Sequence, residues 1–328
     1  MRVTEYDAGD SDSVEVGRLI LNASRAVDTP WIPELTAHRR AMQVRYGWDR
    51  SPERHFLAWA DGVPVGVAQL ELPEWDNQDL AWFYLTIHPA HRRRGHGSEL
   101  LAHLTQVSRE AARLKIGGSG FEATATEEFA RRHGYTLGQV EVNRVLHLDT
   151  LPSGMAKAAY AQAEPLADAY ELIRVAGRTP TELLPAVAEL TASINDAPLD
   201  DLEVEDESYP VARINDYESA TLESGYRLYR LLARHRESGT LAGHTIVTVD
   251  AESPRRAHQD DTSVVRAHRG HRLGLLLKAG MLLWLAEAEP QIASIDTGNA
   301  ESNHHMILVN ERLGYRAMGR ELSFQRKL

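Results

Sequence analysis

The fold of this chain can be inferred from seven residues, His268-Arg269-Gly270-His271-Arg272-Leu273-Gly274. They follow a short β-type run, Thr262-Ser263-Val264-Val265, and they precede a segment from Leu273 to Ala288 in which apolar residues recur at helical spacing. A strand, a basic turn that contains glycine and a helix together point backbone N–H groups and the positive end of a helix dipole at one spot. Such a spot binds phosphate or pyrophosphate.

The same arrangement occurs earlier in the chain. The run Leu85-Thr86-Ile87-His88-Pro89 leads into the basic turn His91-Arg92-Arg93-Arg94-Gly95-His96-Gly97, and a helical pattern follows. Each half later contains a Gly-Tyr pair, which ends at Tyr135 in the first half and at Tyr315 in the second. The two turns and the two Gly-Tyr pairs recur at nearly the same offset, which indicates a duplicated domain.

Both halves resemble the GNAT superfamily of N-acetyltransferases. In that family an Arg/Gln-x-x-Gly-x-Gly/Ala turn binds the pyrophosphate of acetyl-CoA. The first turn matches this motif fully, and the second matches it with Arg272 in place of one glycine. The asparagine that precedes the closing Gly-aromatic pair in the family matches Asn303. The resemblance covers nearly the whole chain as two copies and is closest to tandem actinobacterial acetyltransferases, the architecture of mycothiol synthase.

The resemblance implies an α+β fold of two tandem GNAT-like domains, each a mixed, mostly antiparallel twisted sheet flanked by helices. The alternation of strand-type and helix-type patterns in each half agrees with this class. We assign residues 1–150 to the first domain and residues 166–328 to the second. Residues 151–165 are rich in alanine and contain two prolines and a glycine, so we interpret them as a linker.

Composition excludes several other classes of function. The chain has 328 residues and a formal net charge of −11, which argues against nucleic acid as a partner. No run of apolar residues reaches the length of a transmembrane helix, and the N-terminal sequence lacks the apolar core of a signal peptide. There is no cysteine, and the histidines are scattered, so we expect no metal site. We expect a cytoplasmic protein that is a monomer or a homodimer.

The resemblance implies that acetyl-CoA is the co-substrate. Backbone N–H groups of each turn would bind the pyrophosphate, and the backbone of the preceding strand would pair with the pantetheine arm. By match, the cofactor-binding positions of the first copy are Leu85, Ile87, Arg92, Arg93, Arg94, Gly95, Gly97 and Ser98. Those of the second copy are Thr262, Val264, Arg269, Gly270, His271, Arg272, Gly274, Leu275, Asn299 and Asn303.

The residue that protonates the leaving thiolate is not evident. Neither copy has the tyrosine that the family places on the helix before the closing Gly-aromatic pair, because Ala130 and Asn310 stand there. Asn310 would donate a hydrogen bond to the leaving sulfur, although an amide cannot give up a proton. For deprotonation of the acceptor, Asp261 directly precedes the cofactor strand and is our candidate base. His304 is a second candidate.

Two neighbouring residues and one loop complete the set of candidates. Asp260 and His258 also lie beside the central strand of the second copy and remain alternatives to Asp261. The acidic loop Asp200–Glu207 is predicted to line the acceptor site of the second copy. Several carboxylates there would favour a cationic amine.

The sequence therefore predicts an acetyl-CoA-dependent N-acetyltransferase that acts on a primary amine of a small molecule or peptide. We expect the second copy to carry catalysis. Two alternatives stay open at this point. The first copy can be the catalytic one because its turn is more complete, or the chain can be a non-catalytic acyl-CoA-binding or interaction protein because both tyrosines are missing.

Overall fold

The computed structural model describes residues 1–328, apart from the side chain of Thr124. In the N-terminal half its elements are β1 (Arg2–Tyr6), α1 (Ser11–Asp28), α2 (Ala37–Tyr46), β2 (Arg54–Ala60), β3 (Val63–Glu71), β4 (Leu80–Ile87), α3 (His96–Glu110), β5 (Lys115–Phe121), α4 (Thr124–Arg132), β6 (Thr136–His147) and α5 (Met155–Ala163). They continue with β7 (Tyr170–Ala176), α6 (Leu184–Thr191), α7 (Val211–Glu223), β8 (Tyr226–His235), β9 (Leu241–Asp250), β10 (Arg256–Val264), α8 (Leu273–Ala288), β11 (Ser294–Ala300), α9 (His304–Arg312) and β12 (Arg316–Lys327). The predicted α+β class is confirmed.

The chain divides into two compact units that differ in three places from the boundaries expected from the sequence. Unit 1 comprises Met1–Glu141, Leu199–Glu207 and Gly319–Leu328. Unit 2 comprises Val142–Pro198 and Ser208–Met318. The acidic loop and the C-terminal strand therefore belong to unit 1, although they lie in the second half of the sequence.

The segment expected to be a linker is helix α5 of unit 2. Its alanines Ala159 and Ala163 are buried in the same core as α8. Alanine has the highest helix propensity and its small side chain allows close packing. The nearby glycine and prolines mark the ends of this helix, since Gly154 caps its N-terminus in a left-handed conformation.

The sheet of unit 1 places β4 beside β5 in parallel, at the centre of strands that otherwise pair antiparallel. The order is β1-β2-β3-β4-β5-β12, and residues 136–141 of β6 follow β12. The hairpin between β2 and β3 turns at Asp61-Gly62, where both residues have positive φ, and an Asp-Gly pair between two apolar runs favours such a turn. Helix α3 packs Leu100, Leu101 and Leu104 against one face of this sheet.

The sheet of unit 2 repeats this arrangement. Its order is β11-β10-β9-β8-β7, with β10 and β11 parallel and the other pairs antiparallel. Helix α8 is the counterpart of α3. It is apolar around nearly its whole circumference because both the sheet and α5 pack against it.

The C-terminal segment differs from the prediction in one respect. Its pattern of apolar and polar residues favours a pair of closing strands from Tyr315 to Lys327, and the structure has the single strand β12 over Arg316–Lys327. Gly319 lies within this strand because the ring of Trp31 occupies the space that a Cβ would take, at 2.4 Å. Among the described residues, no helix is long and apolar enough to cross a membrane.

Candidate active site

The first turn, between β4 and α3, is held by Arg92. Its Nε donates to the carbonyl oxygen of Ile87 at 3.0 Å, and its Nη1 donates to the carboxylate of Asp28 at 2.8 Å. Asp28 is the last residue of α1, so one side chain joins the end of the strand, the turn and a helix. Within the turn Arg93 and Gly95 have left-handed backbones, with φ of 62° and 89°.

The second turn, between β10 and α8, is held in the same way by Arg269. Its Nε donates to the carbonyl oxygen of Val264 at 3.0 Å, and its Nη2 donates to the carboxylate of Asp196 at 2.5 Å. The left-handed positions recur at Gly270 and Arg272, with φ of 91° and 54°. Arg92 and Arg269, predicted as cofactor-binding residues, therefore use their guanidinium groups to stabilise the turns.

Both turns present backbone donors that have no partner within the described part of the chain. In unit 1 these are the N–H groups of Arg93, Arg94, Gly95, His96 and Gly97. In unit 2 they are those of Gly270, His271, Arg272, Leu273, Gly274 and Leu275. Ser98, predicted as a donor, instead directs its N–H to the carbonyl oxygen of Gly95. A helix N-terminus with a row of unpaired N–H groups is suited to binding phosphate.

Beyond the turns, the two parallel strands of each unit separate into a wedge. In unit 1, β4 and β5 pair only from Leu80 to Phe83, so Leu85 and Ile87 lie where the strands have parted. In unit 2, β10 and β11 pair only from Arg256 to His258, and Thr262 lies in the open part. An extended ligand arm can pair with the backbone groups that such a wedge exposes.

The closed ends of the two wedges differ in chemistry. In unit 1 the last pair is Phe83 with Gly118, and the ring of Phe83 lies 2.6 Å from the position that a Cβ of Gly118 would take. In unit 2 the last pair is His258 with Asp296, and Nδ1 of the imidazole lies 2.6 Å from the carboxylate oxygen Oδ2. The wedge of unit 1 therefore closes on an aromatic ring, and that of unit 2 closes on groups that can carry a proton.

Two further groups extend the polar cluster of unit 2. His258 Nε2 lies 3.4 Å from Oδ1 of Asp260, and the hydroxyl of Tyr217 donates to Oδ2 of Asp260 at 3.1 Å. Burial raises the pKa of the Asp260 carboxyl, and the charge of His258 and the hydrogen bond from Tyr217 oppose this shift. Burial also acts on Asp296, but the hydrogen bond and charge of His258 hold its pKa below the ordinary value.

Asp260 and Asp261 of unit 2 lie in a β-bulge of strand β10. The register between β10 and β9 shifts between Gln259 and Thr262, so these two aspartates lie in an irregular stretch of strand. A bulge changes the direction of the side chains that follow it and is frequent at functional sites. In unit 1 the pairing of β3 with β4 runs without a shift from Trp82 to Ile87.

The other predicted residues of unit 2 lie around α9. Asn303 is its N-cap, and its side chain accepts from the N–H of Met306. Asn310 is fully buried and donates to the side chain of Asn299 at 2.5 Å. One N–H of the Asn310 amide bonds Asn299 and the group has a second N–H, so the role of Asn310 as a donor to the leaving sulfur stays a prediction. His304 is exposed in the first turn of the helix.

The acidic loop was expected to belong to the second copy, and this assignment is wrong. Residues Leu199–Glu207 belong to unit 1. The N–H of Glu205 donates to the side chain of Asn77 at 2.7 Å, and Lys115 donates to the carbonyl oxygen of Glu203 at 2.8 Å. These long-range hydrogen bonds fix the loop on unit 1, and nothing in the local sequence indicates them.

Two residues of the cluster were not found from the sequence. Asp296 lies within a strand that was predicted, but its place opposite His258 depends on the register of two parallel strands. Tyr217 is buried on α7, where its spacing is that of an ordinary core residue. The strand Ser294–Ala300 also contains serine, threonine and asparagine, so no local pattern singles out Asp296.

Comparison with known proteins agrees with this geometry. The model of the acetyltransferase (GNAT) family matches residues 24–135. A tandem GNAT protein from the clavulanic acid biosynthesis pathway, solved without acetyl-CoA, is 26% identical, with a TM-score of 0.81 over 99% of this chain and 98% of that one. This chain is a tandem GNAT protein.

Two curated relatives and a more distant structure extend the comparison. The mycothiol acetyltransferase of Stackebrandtia nassauensis is 31% identical over 189 residues, which is 56% of each chain. That of Kineococcus radiotolerans is 33% identical over 107 residues, 32% of this chain and 33% of the relative. The match thus spans little more than half the length of the first relative and a third of the second. A GCN5-related N-acetyltransferase from Sphaerobacter thermophilus shares the fold at 15% identity and a TM-score of 0.70, over 99% of this chain and 95% of that one.

Proposed function

We propose that the protein is an acetyl-CoA-dependent N-acetyltransferase and that unit 2 carries the reaction. The observation that supports unit 2 is the polar cluster at the closed end of its wedge, where unit 1 has Phe83 and Gly118. Transfer of an acetyl group to an amine requires a group that accepts a proton. Only a titratable group near the reacting atoms can serve, and unit 2 has His258, Asp260 and Asp296 there.

The cofactor fits the unpaired donors of the turn. The N–H groups from Gly270 to Gly274 would hold the pyrophosphate, with the dipole of α8 directed at it. The open part of β10, which includes Thr262 and Val264, would pair with the pantetheine arm. Acetyl-CoA supplies the activated acyl group. The protein positions the acceptor amine against it, which accounts for much of the rate of such a reaction.

The acceptor we propose is a primary amine of a small molecule. The curated relatives are named for mycothiol, which is not a protein, and this supports a small acceptor over a peptide. Asp261 remains a candidate to receive the proton of the amine, since it lies in the bulge of β10, directly before Thr262. His304 remains a weaker candidate because its side chain is exposed.

Unit 1 is proposed to be structural or to bind cofactor without turning it over. Arg92 holds its turn as Arg269 holds that of unit 2, and the turn likewise has backbone N–H groups without a partner. The last strand pair of its wedge, Phe83 with Gly118, offers no group to accept a proton, and the next residue, Tyr84, interacts with the carboxylates of Glu321, Glu53 and Glu71. This asymmetry supports the catalytic role of unit 2 over the alternative in which unit 1 is the enzyme.

Release of CoA from acetyl-CoA in the presence of a panel of small amines tests the proposal. We expect turnover with at least one amine and binding of acetyl-CoA by calorimetry. Binding without turnover for any amine would instead identify an acyl-CoA-binding protein, the alternative that the missing tyrosines support. If neither acetyl-CoA nor free CoA binds, the proposed function is wrong.

A further inference from the structure

We propose that Asp260 takes the proton from the acceptor amine and that His258, oriented by Asp296, passes this proton to solvent. This inference rests on the proposed function of unit 2. It names Asp260 in place of its neighbour Asp261 as the base, and it gives roles to two residues, His258 and Asp296, that meet at the closed end of the wedge.

The geometry supports Asp260 because both of its carboxylate oxygens face groups that can exchange or stabilise a proton. Oδ2 accepts a hydrogen bond from the hydroxyl of Tyr217 at 3.1 Å. Oδ1 lies 3.4 Å from Nε2 of His258. Its side chain is 26% exposed, so the carboxylate is sheltered from bulk water yet open on one side. A base in this position can contact a substrate nitrogen that approaches the wedge.

The charges around Asp260 come from every element packed against it. His258 lies on the same strand, Tyr217 on α7, Asp296 on β11 and Arg230 on β8. Burial is the largest effect and makes the carboxyl harder to ionise than an ordinary aspartate. A carboxylate that holds its proton more tightly is a stronger base, and catalytic bases act best when their pKa approaches the working pH.

His258 suits the relay because it joins this sheltered carboxylate to water. Its side chain is 46% exposed, whereas that of Asp260 is 26% exposed. The hydrogen bond of 2.6 Å from Nδ1 to Asp296 fixes the ring orientation and leaves Nε2 as the nitrogen directed at Asp260. Asp296 is therefore a positioning residue, since it acts on the reaction through the imidazole.

The proton balance of the transfer is complete without another reagent. An acceptor ammonium has three N–H bonds. One proton goes to Asp260 and through His258 to water, and the neutral nitrogen then attacks the thioester carbonyl. The N–C bond forms, the C–S bond breaks, and the second proton ends on the departing sulfur to give the CoA thiol. The third hydrogen stays on the amide product.

Replacing Asp260 by asparagine tests the base. The side chain keeps its size and its place in the bulge but loses the capacity to take a proton. We expect kcat to fall about 100-fold or more, with the acidic limb of the pH profile lost. The KM for acetyl-CoA should stay close to that of the wild type, because no backbone donor of the turn changes. Asp149→Asn removes an exposed carboxylate from the same unit and serves as the control.

Proton transfer through His258 is tested by a separate set of variants. His258→Ala should lower kcat, and added imidazole should restore part of it, which a purely structural role of this side chain would not allow. Asp296→Asn should also lower kcat, by a smaller factor than His258→Ala, and should change the pH profile of kcat as His258→Ala does. Circular dichroism shows whether each variant is folded, and calorimetry shows whether it binds acetyl-CoA.

The outcomes separate this inference from the proposed function. If the wild type shows no turnover with any amine, the proposed function fails and the relay fails with it. If the wild type turns over, the relay is overturned by either of two results. Asp260→Asn can keep the wild-type pH profile while Asp261→Asn loses it, or imidazole can fail to restore His258→Ala.

Discussion

Gly95 and Arg272 occupy the same position in the two turns, and both have left-handed backbones, with φ of 89° and 54°. The position two residues before each is also left-handed, and there the residues are reversed, with Arg93 in unit 1 and Gly270 in unit 2. Each turn thus combines one glycine with one arginine in a conformation that costs an L-residue about 1 kcal/mol. Duplication has preserved the backbone of the turn and not the distribution of its glycines.

The cost at Arg272 can be measured directly. Arg272→Gly should raise the free energy of unfolding by up to about 1 kcal/mol, since glycine adopts positive φ without steric conflict. The matched variant Gly95→Arg should lower it by a similar amount, because a Cβ at Gly95 meets no atom within 4 Å and only the backbone conformation is penalised. Chemical denaturation followed by circular dichroism gives both values.

The variant Arg272→Gly also tests whether the guanidinium of Arg272 contacts the phosphate of CoA. If Arg272→Gly keeps wild-type affinity for CoA by calorimetry, the turn binds phosphate through its backbone alone. A loss of affinity greater than about tenfold, with the fold intact, would contradict this and assign a direct phosphate contact to the side chain.

Bulk at the second glycine of each turn distinguishes the two units. Gly274→Val adds a side chain where the structure has no atom within 4 Å of the new Cβ, so its effect should fall on the ligand and not on the fold. We expect acetyltransferase activity to fall at least tenfold with little change in melting temperature. Activity is measured as CoA release under saturating amine.

Gly97→Val is the counterpart in unit 1. Its Cβ would lie 3.2 Å from the ring of Phe129, so a small loss of stability is expected as well. If catalysis belongs to unit 2, this variant retains turnover. Loss of activity in Gly97→Val alone, with both variants folded, would transfer the catalytic role to unit 1.

Local patterns predicted the elements but not the cluster that carries the proposed chemistry. The strand Leu80–Ile87 coincides with an apolar run of the sequence, and the Asp61-Gly62 hairpin follows from its turn residues. The pair of His258 with Asp296 depends on the register of two parallel strands joined through α8, and no local pattern fixes such a register. Local patterns also do not indicate the position of the acidic loop, because Asn77, which holds it on unit 1, is distant in the sequence.

The acidic loop is expected to affect stability and not recognition of the acceptor. Asn77 is buried and exchanges side-chain and backbone hydrogen bonds with Glu205. Asn77→Ala should lower the free energy of unfolding by about 2 kcal/mol, because it removes buried hydrogen bonds. Neutralising Glu205, Asp206 and Glu207 together should leave the KM for a cationic amine unchanged at low salt. A rise in that KM would restore the loop as part of the acceptor site.

Lys278 is a buried cation at a helix position where unit 1 has Leu101. Its side chain is 2% exposed, its ammonium lies 4.9 Å from the centre of the Tyr315 ring, and burial lowers its pKa to about 7. In the unfolded chain a lysine titrates near 10.4. Between these values the unfolded state holds a proton that the native state lacks, so stability falls as pH decreases from about 10 to about 7.

Replacing Lys278 by leucine should remove this dependence. We expect the free energy of unfolding at neutral pH to rise by roughly 2–4 kcal/mol, with the gain shrinking towards pH 10. Denaturation of wild type and Lys278→Leu across this range provides the measurement. Leu101→Lys, the reverse change in unit 1, should destabilise by a comparable amount. An equal gain at all pH values would show that packing alone, and not the charge, sets the effect.

The second turn is bordered by three histidines, and we expect them to couple CoA binding to protons. His268 bonds the hydroxyl of Tyr170 at 3.0 Å, and its ring lies 5.5 Å from that of His235. The ring of His271 lies 5.6 Å from that of Tyr170. Burial, and then the charges of His235 and His271, lower the pKa of His268. In the free protein this imidazole is therefore neutral at physiological pH.

Phosphate bound at the turn would favour the protonated imidazole and raise its pKa. Affinity for CoA should then increase as pH falls through the interval between the free and bound pKa values, by about tenfold for each unit of difference. Calorimetry near pH 6 in buffers of different ionisation enthalpy should show proton uptake on binding. His268→Gln should reduce this uptake and leave the affinity for CoA at about pH 8 unchanged. Protonation of the ligand itself contributes equally to both proteins, so it cancels in the comparison. Equal uptake in wild type and His268→Gln would exclude His268 as the proton acceptor, because the variant has no imidazole at this position.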